Sequence, residues 1–332
     1  MKYGFVMLIP VLGTGMFFSG NGHTEVEAST NTGNRSMSVF SNAYENIQVT
    51  HHQYSFQFIL HKEMMSPFWK DDPKVNFWQQ VVRLSPDSGI LNISTTREIL
   101  GIYAVKDWDG KPAEERQAIR DSIRKLKNLP EDVSIYFTPG KKHFYNQDSI
   151  LPLLQKASEI FASQMVDPFY AQAVLLIESP VANQKSSAGA YGHFQLMKKV
   201  AIQMGLTVNR HVDEREDFDK CAVGAARLFR TVCIPETQKI LDELCIPYTG
   251  QELWFKLLVL HVYHAGAYNV KKAILANMPI DDGNLLIKRL WETKAGAFGD
   301  ESQNYTQLVL ANHFKIIREY GIDALYAQSS EQ

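Results

Sequence analysis

The chain has 332 residues, 45% of them hydrophobic and 21% charged, so it is long enough for two domains and has the balance of an ordinary globular protein. Its formal net charge of −2 gives no electrostatic case for nucleic acid or for an anionic membrane surface.

Residues 1–28 read as a secretory signal peptide: Lys2 is the positive start, residues 3–18 are apolar around Gly13 and Gly15, and Val26-Glu27-Ala28 offers a small-residue cleavage site. The apolar stretch is short for a membrane span, and no cysteine near it invites lipid anchoring. Export to the periplasm or elsewhere in the cell envelope is therefore expected, with no stable membrane span after cleavage. Residues 29–50 are rich in Ser, Thr and Asn and read as a flexible leader.

Residues 51–145 read as a smaller α+β accessory unit. Thr95-Thr96-Arg97-Glu98 has the form of a capping box, predicting a short helix through Ile99, Leu100 and Tyr103. Pro112 opens a second helix with Ile119, Ile123 and Leu126 on one face. Its Arg116, Arg120, Arg124 and Lys127 read most simply as a solvated face, and more weakly as a grip on a ligand. Residues 133–137 alternate like a strand that Pro139-Gly140 ends. His51, His52 and His61 lack a fourth ligand pattern, so no metal and no cofactor are expected.

From residue 146 to 325 the pattern turns helical and chemical. Asp167-Pro168 is a helix start, and Tyr170, Ala173, Val174 and Ile177 recur at helical spacing until Pro180 stops the helix. Glu178 thus falls in the last turn, where the macrodipole and the neighbouring Leu175, Leu176 and Ile177 all disfavour a carboxylate. A carboxyl kept protonated near neutrality suits a general acid. A glycine-punctuated loop follows, Gly189-Ala190-Tyr191-Gly192-His193-Phe194-Gln195-Leu196-Met197. The acidic run at 213–219 lacks the Gly and terminal Glu of a calcium loop and reads as a solvated loop that caps the next helix. Cys221, Cys233 and Cys245, in a segment read as two helices broken by Pro235, fit either one disulfide with an odd thiol or small buried hydrophobes.

Glu178-Ser179, Ser186, Gly189-Ala190-x-Gly192, Gln195 and Met197 resemble the core motif of the soluble lytic transglycosylase (SLT) family. In the same order, Ala222-Val223-Gly224-Ala225-Ala226-Arg227-Leu228-Phe229 resembles the family's small-residue helix. Val262-Tyr263-His264-Ala265-Gly266 resembles its Ala-Tyr-Asn-Ala-Gly motif, and Glu301-Ser302-Gln303-Asn304-Tyr305 its Glu-Thr-x-x-Tyr motif. The chain departs at His193-Phe194, at Lys198 where the family has Pro, at His264 where it has Asn, and by one residue in the loop after Glu178.

The resemblance implies a mainly α (α+β) protein, a lysozyme-like helical catalytic domain behind the smaller N-terminal unit. It implies cleavage of the MurNAc-GlcNAc bond of peptidoglycan glycan strands, leaving 1,6-anhydroMurNAc ends. Glu178 would be acid and then base, while Ser179, Ser186, Gln195, Met197, Tyr263, His264 and Tyr305 would bind substrate. Met197 has core filling as its alternative, the two tyrosines half-buried packing with hydroxyls in water, and His264 a structural role. Two other functions stay open: a hydrolytic muramidase, its second carboxylate drawn from the 213–219 run, and a wall-binding or assembly protein.

Overall fold

The computed structural model describes residues 24–28, 43–51, 54–140, 149–178 and 185–323. Tyr44–His51 (β2) pairs antiparallel with Tyr54–His61 (β3), and Thr24–Ala28 (β1) adds to the other edge of β2. Ile47 and Val49 on β2, and Phe56, Phe58 and Leu60 on β3, alternate inward and are buried. Residues 44–50 are therefore strand, not leader: a Ser/Thr/Asn-rich flank masks the period-two pair Ile47 and Val49. Cleavage after Ala28 would take β1 out of this sheet. Residues 1–23 and 29–42 lie outside the described residues.

After a 3-10 turn, Lys62–Met65, come Pro67–Lys70 (α1) and Pro73–Val81 (α2). Asp72 caps α2 by accepting from the Lys74 and Val75 amides at 2.9 and 3.3 Å. A second antiparallel sheet, order β5-β4-β6, is made by Ser88–Ile93 (β4), Ile99–Ala104 (β5) and Ile135–Pro139 (β6). Val105–Asp109 (α3) and Ala113–Leu126 (α4) cover it through Trp108, Ile119 and Ile123.

The helix expected through Ile99, Leu100 and Tyr103 is the strand β5. Thr96 does accept the Glu98 amide, at 3.2 Å, but it closes a turn between strands, and pairing with β4 overrides the local cap. The Pro112 helix forms as expected, and the expected 133–137 strand forms two residues later, as Ile135–Pro139 with Pro139 inside it. Arg120 and Arg124 are not merely solvated, since their Nε groups donate to the Ile135 and Val133 carbonyls at 3.1 and 2.9 Å.

The remaining helices are Leu151–Ser163 (α5), Pro168–Glu178 (α6), Lys198–Gln203 (α7), Phe218–Leu228 (α8), Ile234–Glu243 (α9), Leu253–Ala265 (α10), Ala267–Leu275 (α11), Gly283–Leu290 (α12) and Asp300–Glu319 (α13). The protein is mainly helical with a small N-terminal antiparallel sheet. The chain does not break at Pro235: a π turn, Phe229–Cys233, carries α8 into α9. The wider turn makes room for a ring that would otherwise press on the carbonyl four residues back.

α13 touches α2, α6 and α10, and 14 of its 20 residues are buried. The expected accessory unit is not one body, because its first part belongs to the main core. Gln172 on α6 accepts the Ile59 amide at 3.0 Å and donates to the Gln57 carbonyl at 2.9 Å, and His61 bonds to the Gln251 carbonyl at 2.8 Å. Among the described residues, no helix is long and apolar enough to cross a membrane.

Candidate active site

α6 presents the acid. Asp167 caps its start, accepting the Phe169 amide at 3.0 Å, and its other oxygen takes the Tyr44 hydroxyl at 2.6 Å and the buried Lys256 ammonium. Residues 168–176 are all buried, so the helix is fixed against the core and delivers Glu178, half-buried, at its last turn. Desolvation pushes the Glu178 carboxyl from the ordinary 4.5 up to about 7, against a lowering contribution from the Tyr305 hydroxyl. That hydroxyl is buried and has no hydrogen-bond partner of good geometry. It stands close enough to Glu178 to stabilise the ionised form, but it is not aligned for a full bond.

Tyr263 on α10 and Tyr305 on α13 come close to the acid, and His264 on α10 packs on Tyr305. Tyr263 is held by a bond from its hydroxyl to the Phe194 carbonyl and by the Phe229 ring, stacked at 4.8 Å. Nearness to Glu178, added to burial, raises the pKa of both Tyr263 and Tyr305. His264 is exposed, yet its ring stacks on Tyr305 at 4.4 Å, and crowding by neighbouring atoms lowers its pKa. Tyr305 thus has no hydroxyl in water, and His264 is no core histidine.

The register of α13 on α10 is locked one residue further on. Thr306 Oγ1 meets His261 Nε2 at 2.9 Å and accepts from Trp291 Nε1 at 2.8 Å. Gly266, at φ 80° and ψ 148°, then turns the chain from α10 into α11 with a backbone that side-chain-bearing residues avoid.

The glycine loop forms a tight turn closed by paired bonds between Tyr191 and Leu196, at 3.1 and 3.0 Å. Gly192, at φ 83°, lies under the Arg215 backbone, and a Cβ there would sit 2.1 Å from the Arg215 carbonyl oxygen. Gln195 takes a left-handed φ of 43° and donates to the Gly192 carbonyl at 3.0 Å. Met197 is 42% exposed, which excludes core filling. Ser186 is exposed, and its hydroxyl accepts the Ala190 amide at 3.0 Å. Phe194, through its bond from Tyr263, ties this loop to the acid's neighbours. Ser179 and Pro180 lie outside the described residues.

The acidic run helps hold the loop. Arg215, buried, makes a fork to Asp213 at 2.9 and 2.7 Å and donates to the Gly189 and Leu196 carbonyls at 3.0 and 2.9 Å. That fork draws the Asp213 pKa down. Glu214 pairs with Lys220 at 2.7 Å, Glu216 accepts from Tyr191 at 3.2 Å, Asp217 caps α8 at 3.0 Å, and Asp219 pairs with Lys156. The cap agrees with the sequence reading. The buried Arg215 goes beyond it, and its only sequence signal is a lone cation among acids.

Cys221, Cys233 and Cys245 are free, the first two buried with thiols pushed up to about 11 and 12, as small core hydrophobes. His61 is buried and lowered to about 4 by desolvation. The sequence matches no family model and no curated protein.

Proposed function

We propose that this chain is an exported peptidoglycan lytic transglycosylase with a lysozyme-like catalytic domain, and that Glu178 is its single acid and base. The observation that carries the reading is the Glu178 carboxyl, half-titrated near pH 7 at the end of a buried helix with Tyr305 and Tyr263 close by and His264 stacked on Tyr305. A group with its pKa near the working pH can give a proton and take one back.

In this reading Glu178 protonates the glycosidic oxygen leaving MurNAc C1. The MurNAc acetamido oxygen stabilises the developing cation, and Tyr305 supplies a buried hydroxyl as a donor beside it. Glu178, now ionised, takes the proton of the MurNAc C6 hydroxyl as that oxygen bonds to C1. The 1,6-anhydro ring closes without water. Two-carboxylate hydrolysis is the weaker reading, because the carboxylates of the 213–219 run are engaged in ion pairs, a cap and a tyrosine bond. Gln195, Met197, Ser186 and Ser179 would line the strand, and His264 would face a sugar where the resembled family has Asn.

Mass spectrometry of fragments released from purified peptidoglycan tests the proposal. Anhydro-muropeptides support it. Reducing ends support a muramidase, and no release supports a binding protein.

A further inference from the structure

A second pocket, of about 490 Å³, opens where the β5-β4-β6 sheet meets the first turn of α13. Two guanidiniums line it. Arg97 sits in the turn between β4 and β5 at φ 60°, a conformation that Gly or Asn adopts at lower cost. Its side chain is spread over three rings, 5.3 Å from the centre of Phe77, 5.7 Å from Trp78 and 5.9 Å from Tyr136. One N–H goes to Asn304 Oδ1 at 3.0 Å. Of five donors, that is the one side-chain bond it makes among the described residues.

Arg120 lies over Trp108 at 5.4 Å and spends its Nε on the Ile135 carbonyl, and among the described residues its terminal nitrogens make no further bond, which leaves that fork for a ligand. Asp109 and Asp300 share the same space. Asp109 is only loosely paired with Arg116, at 3.7 Å, and Asp300 meets Lys294 at 3.0 Å.

These groups together narrow the ligand. A simple anion would be repelled by two carboxylates, and a neutral sugar has no use for two guanidinium forks. A short peptide carrying both carboxylates and an amine meets both signs of charge, and its apolar parts meet the rings. Position adds to this, since Asn304 in the pocket precedes Tyr305 at the acid on the same turn of α13.

We propose that this pocket holds the stem peptide carried by the glycan strand, its carboxylates on Arg97 and Arg120 and its amine toward Asp109 and Asp300. The inference rests on the peptidoglycan reading above and names the part of the substrate that the accessory sheet recognises.

The test is titration calorimetry of the full chain with the free tripeptide L-Ala–γ-D-Glu–meso-diaminopimelate, which contains no bond to cleave. Wild type should bind it. Arg97→Gly, which suits the turn backbone and deletes the guanidinium, and Arg120→Gln should each weaken binding about ten- to hundredfold, the scale of one charge-assisted bond. Circular dichroism of both variants checks that they fold. No binding by wild type, or unchanged affinity in both folded variants, overturns the pocket. Binding that both variants weaken upholds it even where peptidoglycan yields no anhydro ends, which would retire the lytic reading alone. Anhydro ends without tripeptide binding would retire the pocket and leave the lytic reading standing.

Discussion

At residue 178, burial outweighs the one donor nearby, and the sign of each consequence follows. The carboxyl titrates near 7 in the folded chain against an ordinary 4.5, so between those values the folded state holds a proton that the unfolded state has lost. Stability must then fall as pH rises across that window. The full cost is about 3 kcal/mol, and solvent reaching a half-buried group reduces it to roughly 1–3 kcal/mol. Glu178→Gln, matched in size, should therefore melt higher than wild type at pH 8 and equally at pH 4. The same variant should lose glycan cleavage by about a hundred- to ten-thousand-fold or more, since one residue performs both proton transfers. Cleavage by wild type should decline as pH rises through about 7, as the acid form is used up. Tyr305→Phe removes the donor that lowers the Glu178 pKa, so a pH–rate profile should show that decline displaced to higher pH. A profile unmoved by Tyr305→Phe would detach Tyr305 from the acid. Glu178 is legible in the sequence because its local causes are sequence-adjacent: a helix start at Asp167, an apolar face and a Pro stop. Arg97 and Arg215 are not, because each acts on groups brought together only by folding.

The glycine loop is the element whose shape matters most to the groove, and it is held from outside itself. Arg215 binds two of its carbonyls, Tyr263 binds a third, and Gly192 allows the Arg215 backbone to approach. Gly192→Ala faces both a left-handed φ and a carbonyl oxygen 2.1 Å from the new Cβ. It should cost about 2 kcal/mol or more and lower cleavage by displacing Gln195 and Met197. Thermal denaturation together with the cleavage assay reads both. Of the later helices, α6 is legible because a cap and apolar periodicity agree there, and α8 because Asp217 caps it; α10 and α13 are located by motif resemblance. β5 is not legible, because Thr95-Thr96-Arg97-Glu98 carries a helix-start pattern while strand pairing, which no local pattern encodes, decides the outcome. Pro235 suggests a break for a similar reason: nothing local announces a π turn that accommodates it.

Across the whole molecule, the division into accessory unit and catalytic domain gives way to interlocked parts. The strand β3 packs against α5 and α6, Gln172 satisfies β3 backbone groups, and Trp78 on α2 donates to Gln307 on α13 at 3.1 Å. A chain starting at Lys142 would expose that apolar face and cost Gln172 its bonds to Ile59 and Gln57, Asp167 its bond from Tyr44 and Gln307 its bond from Trp78. It should fail to fold, giving no cooperative melting transition, where an independent catalytic domain would melt cooperatively and cleave. The β5-β4-β6 sheet has its own small core with α3 and α4. The central claim is that one carboxyl closes the ring internally, and digestion of peptidoglycan in ¹⁸O-labelled water tests it most directly. The account predicts MurNAc ends from wild type that are anhydro and unlabelled, and no such ends from Glu178→Gln. Reducing ends carrying ¹⁸O, or anhydro ends still released by Glu178→Gln at near wild-type rate, would contradict it.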